Sequence, residues 1–299
     1  MLPTLKGVAK VAEGITSISE ALERNGLNWS VEKRPTFYMK DNGTPAPMTS
    51  SYATLRSDNE AYLGRVGGDY VPMSNANALA HVDALLISGA ATLDTVFELK
   101  GGKRVGATLK LNEGINIKGE DLVDMYITVT TSHDGTRATR TDITPIRLFC
   151  TNQLALISRT AKQSWSVRHL STMEENLKFV EEELQEITGY AEWFESTANA
   201  LIEKTLTEMD LQQILGASLD FVKEKDKKAK MISEITDVFK YSNLIGEQFK
   251  GTAWAGLNAA TEYFDHHRNY RTAAARYAAI TSGVGARVRN NVSENLILL

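Results

Sequence analysis

His133 and Asp134, inside the run SHDGTRATR, form a pair whose types suit chemistry, because a carboxylate can orient an imidazole as a general base. Residues adjacent in sequence seldom manage this geometry. Asp134-Gly135 also carries turn chemistry, with Asp bonding its own backbone and Gly accepting unusual dihedrals. On that account His133 tolerates the turn's backbone angles or projects into solvent. A second constellation, Glu262 and His266 in EYFDHHR, stands one helical turn apart and supplies at most two metal ligands. The competing account of the same segment is a packing stripe of Tyr263, His267, Tyr270, Ala274 and Tyr277.

Other catalytic signatures are missing. The chain has no GxSxG, no CxxC and no HExxH motif, and its single cysteine, Cys150, falls on an apolar stripe. Gly67-Gly68 and Gly101-Gly102 lie between strands and open no helix, so neither reads as a phosphate or dinucleotide loop. No catalytic residue, metal or cofactor is therefore assigned, and a non-enzymatic role is favoured.

Charge distribution is more informative. The chain carries a net charge of -4, yet residues 131–170 hold six Lys and Arg against two Asp, while residues 171–250 hold nine basic and seventeen acidic side chains. Arg137, Arg140, Arg147 and Lys162 are candidates for phosphate contacts, with Trp165, Arg168 and His169 beside them. Exposed rings near such charge stack on bases at roughly 1–3 kcal/mol each. The competing account is a basic edge strand that resists aggregation and pairs with the acidic helices beyond Thr172, with Trp165 in the core.

The elements that position these residues follow from periodicity. An apolar strand through Met125, the turn Ser132–Gly135, a basic strand closed by Pro145 and a helix striped by Ile146, Phe149, Cys150, Leu154 and Ile157 form one unit. Alternation places Arg137, Thr139, Thr141 and Ile143 on one face and Ala138, Arg140 and Asp142 on the other. Upstream, the pattern predicts a helix through Val8, Ile15 and Leu22, and strands at Trp29–Met39, Tyr52–Arg56 and Tyr62–Val66. It also predicts a loop at Gly43–Ser51, a helix over Ala76–Leu86 capped by Ser74 or Asn75, and a hairpin of Leu93–Leu99 with Arg104–Leu111. From Thr172 the signal turns helical, with Leu177, Val180, Leu184 and Ile187 as one stripe and a final long helix over Thr252–Thr281. The fold class is therefore α+β: antiparallel β-hairpins with packed helices over residues 1–170, then a mainly helical region over 171–299.

No stretch reaches the roughly 20 apolar residues needed to span a bilayer, and the first residues lack a signal-peptide core, so a cytoplasmic location without membrane contact is expected.

The strings NWSVEKRPTFY, SDNEAYLGRVGGDYVPMSNANAL, TTSHDGTRATRTDITPIRLFCTNQLALI, RHLSTMEENL and WAGLNAATEYFDHHR occur in an order that resembles the phage/plasmid-like family of unknown function, nearly end to end. The resemblance implies a mobile-element origin and a bacterial host cytoplasm, and it implies no reaction. The order of hairpins and helix up to Leu170 is loosely similar to the core of single-strand annealing proteins, which is fold-level analogy alone. The expectation is an accessory protein that forms homo-oligomers and binds single-stranded DNA in recombination or replication. The alternative is an oligomeric protein-interaction or host-factor-binding component without catalysis.

Overall fold

The computed structural model describes residues 9–10, 14–118, 121–147, 164–185, 188–272, 275–276, 279 and 283–299. Its architecture is α+β. Strands dominate up to Val167 and helices follow from Met173, but one apolar cluster runs from Ile18 through the sheet to Leu296.

The larger sheet is antiparallel and, among the described residues, seven-stranded: β1 (Ala9–Lys10), β5 (Ala91–Leu99), β6 (Arg104–Leu111), β8 (Asp121–Ser132), β9 (Thr139–Arg147) and β10 (Ser164–Val167) lie side by side, with β7 (Ile115–Ile117) also pairing β8. Its inner face is written by alternation. Val123, Met125, Ile127 and Val129 of β8 lie beside Val105, Ala107 and Leu109 of β6, all buried. Towards the end of β8 the same face turns polar, at Thr131 of β8 and Thr139 and Thr141 of β9. The smaller sheet is a meander of β2 (Val31–Met39), β3 (Pro45–Arg56) and β4 (Tyr62–Val66).

Helix α1 (Ile18–Arg24), α2 (Asn75–Leu79), a 3-10 turn at Ala80–Val82 and α3 (Asp83–Ile87) cover the larger sheet. Ser74 Oγ accepts from Asn77 N and so caps α2. Beyond β10 come α4 (Met173–Leu184), α5 (Thr188–Glu203), α6 (Glu208–Ser218), α7 (Lys225–Tyr241), α8 (Ala253–Glu262) and α9 (Val284–Ile297). Every residue of α8 is buried, and its sequence, AWAGLNAATE, explains why: small side chains let α5, α7 and α9 approach it closely.

Several expectations are corrected. Gly43–Ser51 is no loop, since β3 starts at Pro45 and pairs Met39 with Pro45 and Phe37 with Pro47. Strand β4 reaches β3 only at Tyr52–Leu55, so both prolines sit in a two-stranded ribbon where a missing N–H costs little. Pro145 does not close β9 either. It lies opposite Met125, and the strand continues to Arg147 opposite Val123. Strand β10 pairs β9 only over Thr139–Asp142, so Pro145 has a strand neighbour on one side only among the described residues. The expected helix therefore does not begin at Ile146, and its remainder lies outside the described residues. Residues 9–10 form a strand where a helix was expected. The helix over Ala76–Leu86 is interrupted by the 3-10 turn, and the last long helix stops after a π-helical turn at Tyr263–His267.

Candidate nucleic-acid interface

Three segments meet at one end of the larger sheet: the β5–β6 loop at 100–103, the β8–β9 loop at 133–138, and β4. The β8–β9 connection is longer than a two-residue hairpin and is built by side chains. Asp134 Oδ1 accepts from Ser132 Oγ at 2.7 Å, Thr136 N at 2.9 Å and Thr136 Oγ1 at 2.5 Å. Partial burial pushes the Asp134 carboxyl up, but these hydrogen bonds and the Arg104 charge outweigh it and hold it below its ordinary value. Asp134 thus shapes the turn, as its neighbour Gly135 does with φ +72.

The loop is docked as well as shaped. His133 N donates to Lys103 O at 2.9 Å, and Thr54 Oγ1 donates to His133 O at 2.7 Å. Gly64 lies so close beneath that an added Cβ would sit 2.5 Å from Asp134 Cα.

His133 does not reach solvent. It is fully buried, with Nε2 2.6 Å from Asn75 Oδ1 and the Trp29 ring edge-on at 5.4 Å. His169, also buried, stacks on Tyr70 at 4.9 Å, and its Nε2 lies 3.3 Å from Thr131 Oγ1 and 3.4 Å from Thr139 Oγ1. His81 meets Thr141 Oγ1 at 2.7 Å. Burial pushes His133 down to about 3 and His81 down to about 4, and it lowers His169. Neutral imidazoles held by amide and hydroxyl groups under a closed loop make a structural polar layer. The general-base pairing of His133 with Asp134 is not formed, because the carboxylate faces its own turn.

Above this layer the surface is basic and aromatic. Tyr62 is 57% exposed, and Lys103 Nζ lies 5.9 Å from its ring centroid. Arg65, Lys100 and Arg137 are exposed on the same three segments. Arg56 is committed elsewhere: it lies over the Trp29 ring at 4.3 Å and pairs with Asp58 and Glu98.

The residues singled out in the sequence divide. Arg137 is exposed in the β8–β9 loop and Arg168 is exposed after β10. Arg140 is exposed, but its Nε lies 2.8 Å from both oxygens of Asp142, so its charge is already matched. Trp165 is only 6% exposed and belongs to the apolar core, and His169 is only 5% exposed beneath Tyr70. Neither presents a ring to a base, because the alternation that builds β10 turns Trp165 inward with Val167. Arg147 ends β9, and Lys162 lies outside the described residues. A cleft of about 450 Å³ between β10 and α4 is lined by Arg168, Asn176 and Phe179. Sequence reasoning passed over Tyr62, Arg65, Lys100 and Lys103. The Lys-Gly-Gly-Lys turn at 100–103 was the available signal, a loop tip with two cations.

Among the described residues no three His, Cys, Asp or Glu side chains converge to hold a metal ion. Glu262 Oε1 is met by His267 Nε2 at 3.0 Å. No described helix is long and apolar enough to cross a membrane. Comparison with curated proteins and with solved structures gives no match. A family model, domain of unknown function (DUF932), matches residues 62–281, a span that begins at Tyr62 and takes in the docked loop, the buried histidines and α8. The chain belongs to this DUF932 family.

Proposed function

We propose that the protein binds single-stranded nucleic acid through the end of the larger sheet where β4, the β5–β6 loop and the β8–β9 loop meet, as an accessory factor of a phage or plasmid in its host cytoplasm. One observation carries this reading: the half-exposed Tyr62 ring beside the Lys103 ammonium, flanked by Arg65, Lys100 and Arg137. Cations neutralise phosphates, and an exposed ring offers a base a stacking surface worth roughly 1–3 kcal/mol. Such a mechanism is positional and needs no cofactor. Fluorescence anisotropy with a labelled oligonucleotide tests it: affinity falls steeply as salt rises, and absence of binding at low salt removes the proposal.

A second reading, self-association or binding of a host protein, is favoured by the β2–β3 ribbon. Beyond Tyr52 it has no third strand among the described residues, and Phe37, Tyr38 and Met39 are 59%, 52% and 65% exposed. A two-stranded ribbon is marginal in water alone, and exposed apolar side chains of this size suit a protein partner. Mass photometry with and without single-stranded DNA separates the readings. Oligomers that form without DNA and vanish in a Phe37→Ser, Met39→Ser variant support the second.

A further inference from the structure

Strand β6 begins at Arg104, directly after the Lys-Gly-Gly-Lys turn. Val105, Ala107 and Leu109 of that strand are buried in the core, so alternation sends Arg104 to the other side of the sheet with Gly106, Thr108 and Lys110. There it stands between Leu99 of β5 and Ser132 of β8. The residue is partly buried, and its Nε is enclosed without an acceptor. Among the described residues the guanidinium makes no hydrogen bond and no ion pair. Other arginines are matched: Arg34 meets Glu32 and Glu60, Arg56 meets Asp58 and Glu98, and Arg140 meets Asp142.

A guanidinium drawn partly out of water without a counter-charge is costly, and a folded protein ordinarily answers it with a carboxylate or with an ion from outside. The neighbouring carboxylate does not answer this one. Burial pushes Asp134 up, and its hydrogen bonds together with the Arg104 charge hold it below its ordinary value, yet Asp134 Oδ1 is engaged by Ser132 and Thr136 and no ion pair to Arg104 forms. Enclosure of Nε fixes the side chain, which leaves the two terminal nitrogens as a fork set in advance for two oxygens of one anion. Lys100 and Lys103 on the adjoining turn add positive charge, so cations outnumber the one carboxylate at this seam.

We propose that Arg104 anchors a phosphate group in the seam between the β5–β6 loop and the β8–β9 loop, with Lys100 and Lys103 as flanking charges. The inference rests on the nucleic-acid reading above for the source of that phosphate. Arg104 follows Lys103, whose ammonium faces the Tyr62 ring, so the phosphodiester it holds belongs to the same strand whose base stacks on Tyr62.

Two measurements on the full chain test this, with Arg104→Met as the main variant because it keeps the aliphatic stem and removes the charge. In thermal unfolding at matched ionic strength, inorganic phosphate in place of chloride raises the wild-type midpoint saturably and leaves Arg104→Met without that rise; a general salt effect moves both alike and counts against the site. Arg104→Lys, which keeps the charge and loses the fork, retains part of the rise. In chloride Arg104→Met melts no lower than the wild type, since no internal partner is lost, and a much lower midpoint overturns the proposal. In anisotropy with a labelled single-stranded oligonucleotide, Arg104→Met binds about tenfold or more weakly and its logarithmic salt dependence is flatter by about 0.7. Protection by phosphate through Arg104 without oligonucleotide binding keeps the anion site and removes the nucleic-acid reading. Full-strength oligonucleotide binding by Arg104→Met keeps that reading and overturns the anchor.

Discussion

Asn75 Oδ1 and His133 Nε2, 58 residues apart in sequence, lie 2.6 Å apart in the seam between α2 and the β8–β9 loop. Asn75 Nδ2 donates in turn to Leu27 O at 2.8 Å, so this one amide ties the segment after α1 to the loop under the basic surface. With Asn75 Oδ1 as acceptor, the hydrogen of the neutral imidazole is on Nε2.

Breaking that link leaves a buried polar group without its partner. Asn75→Ala or His133→Ala is expected to destabilise the protein by about 2–4 kcal/mol, measured as a shift in urea midpoint. A loss within about 0.5 kcal/mol, the range of ordinary surface changes, contradicts the keystone role.

The buried imidazoles set an acid limit. An unfolded histidine titrates near 6.5, whereas His133 and His81 are held down at about 3 and about 4 and His169 is lowered. The unfolded chain therefore binds more protons in this window, and stability is full above pH 6.5 and falls as pH drops through it. Each histidine that stays neutral contributes a slope of about 1.4 kcal/mol per pH unit. Urea titrations between pH 7 and 4 read this directly, and a level profile rules out neutral buried rings.

Gly64 is expected to tolerate no side chain. A Cβ there would meet Asp134 Cα at 2.5 Å and Asp134 O at 2.8 Å, both backbone atoms that no rotamer change can move. Gly64→Ala should cost about 1–3 kcal/mol and weaken oligonucleotide binding by displacing the loop. Gly67→Ala, with nothing within 4 Å of the new methyl, is the control and should leave both quantities unchanged.

Charge and ring contributions at the proposed interface are separable. The double variant Arg65→Ala, Lys103→Ala should lower affinity and flatten the logarithmic salt dependence by about 0.7 for each lost phosphate contact on a single strand. Tyr62→Ala should lose about 1–3 kcal/mol at every salt concentration. Arg140→Ala, whose charge is matched by Asp142, should change little. Equal effects from all three in anisotropy titrations would argue against this placement of the interface.

Local chemistry in the chain determined much of this protein. Alternation in β5, β6, β8 and β9 fixed which side chains turn inward, Asp134-Gly135 fixed a side-chain-built turn, and the three- and four-residue steps of Leu177, Val180 and Leu184 fixed the buried face of α4. Those features depend on neighbours within a few residues, so they are written in the string itself. Tertiary structure decided the rest. Only the approach of Asn75 and Thr54 made His133 a buried neutral ring, only the ion pair with Asp142 withdrew Arg140, and only the docking of β4 against the loop brought Tyr62 and Lys103 together. The π-turn brought His267 to Glu262 in the same way. Each of these depends on a contact partner or a winding that local periodicity does not specify, because burial and charge pairing are properties of the assembled chain.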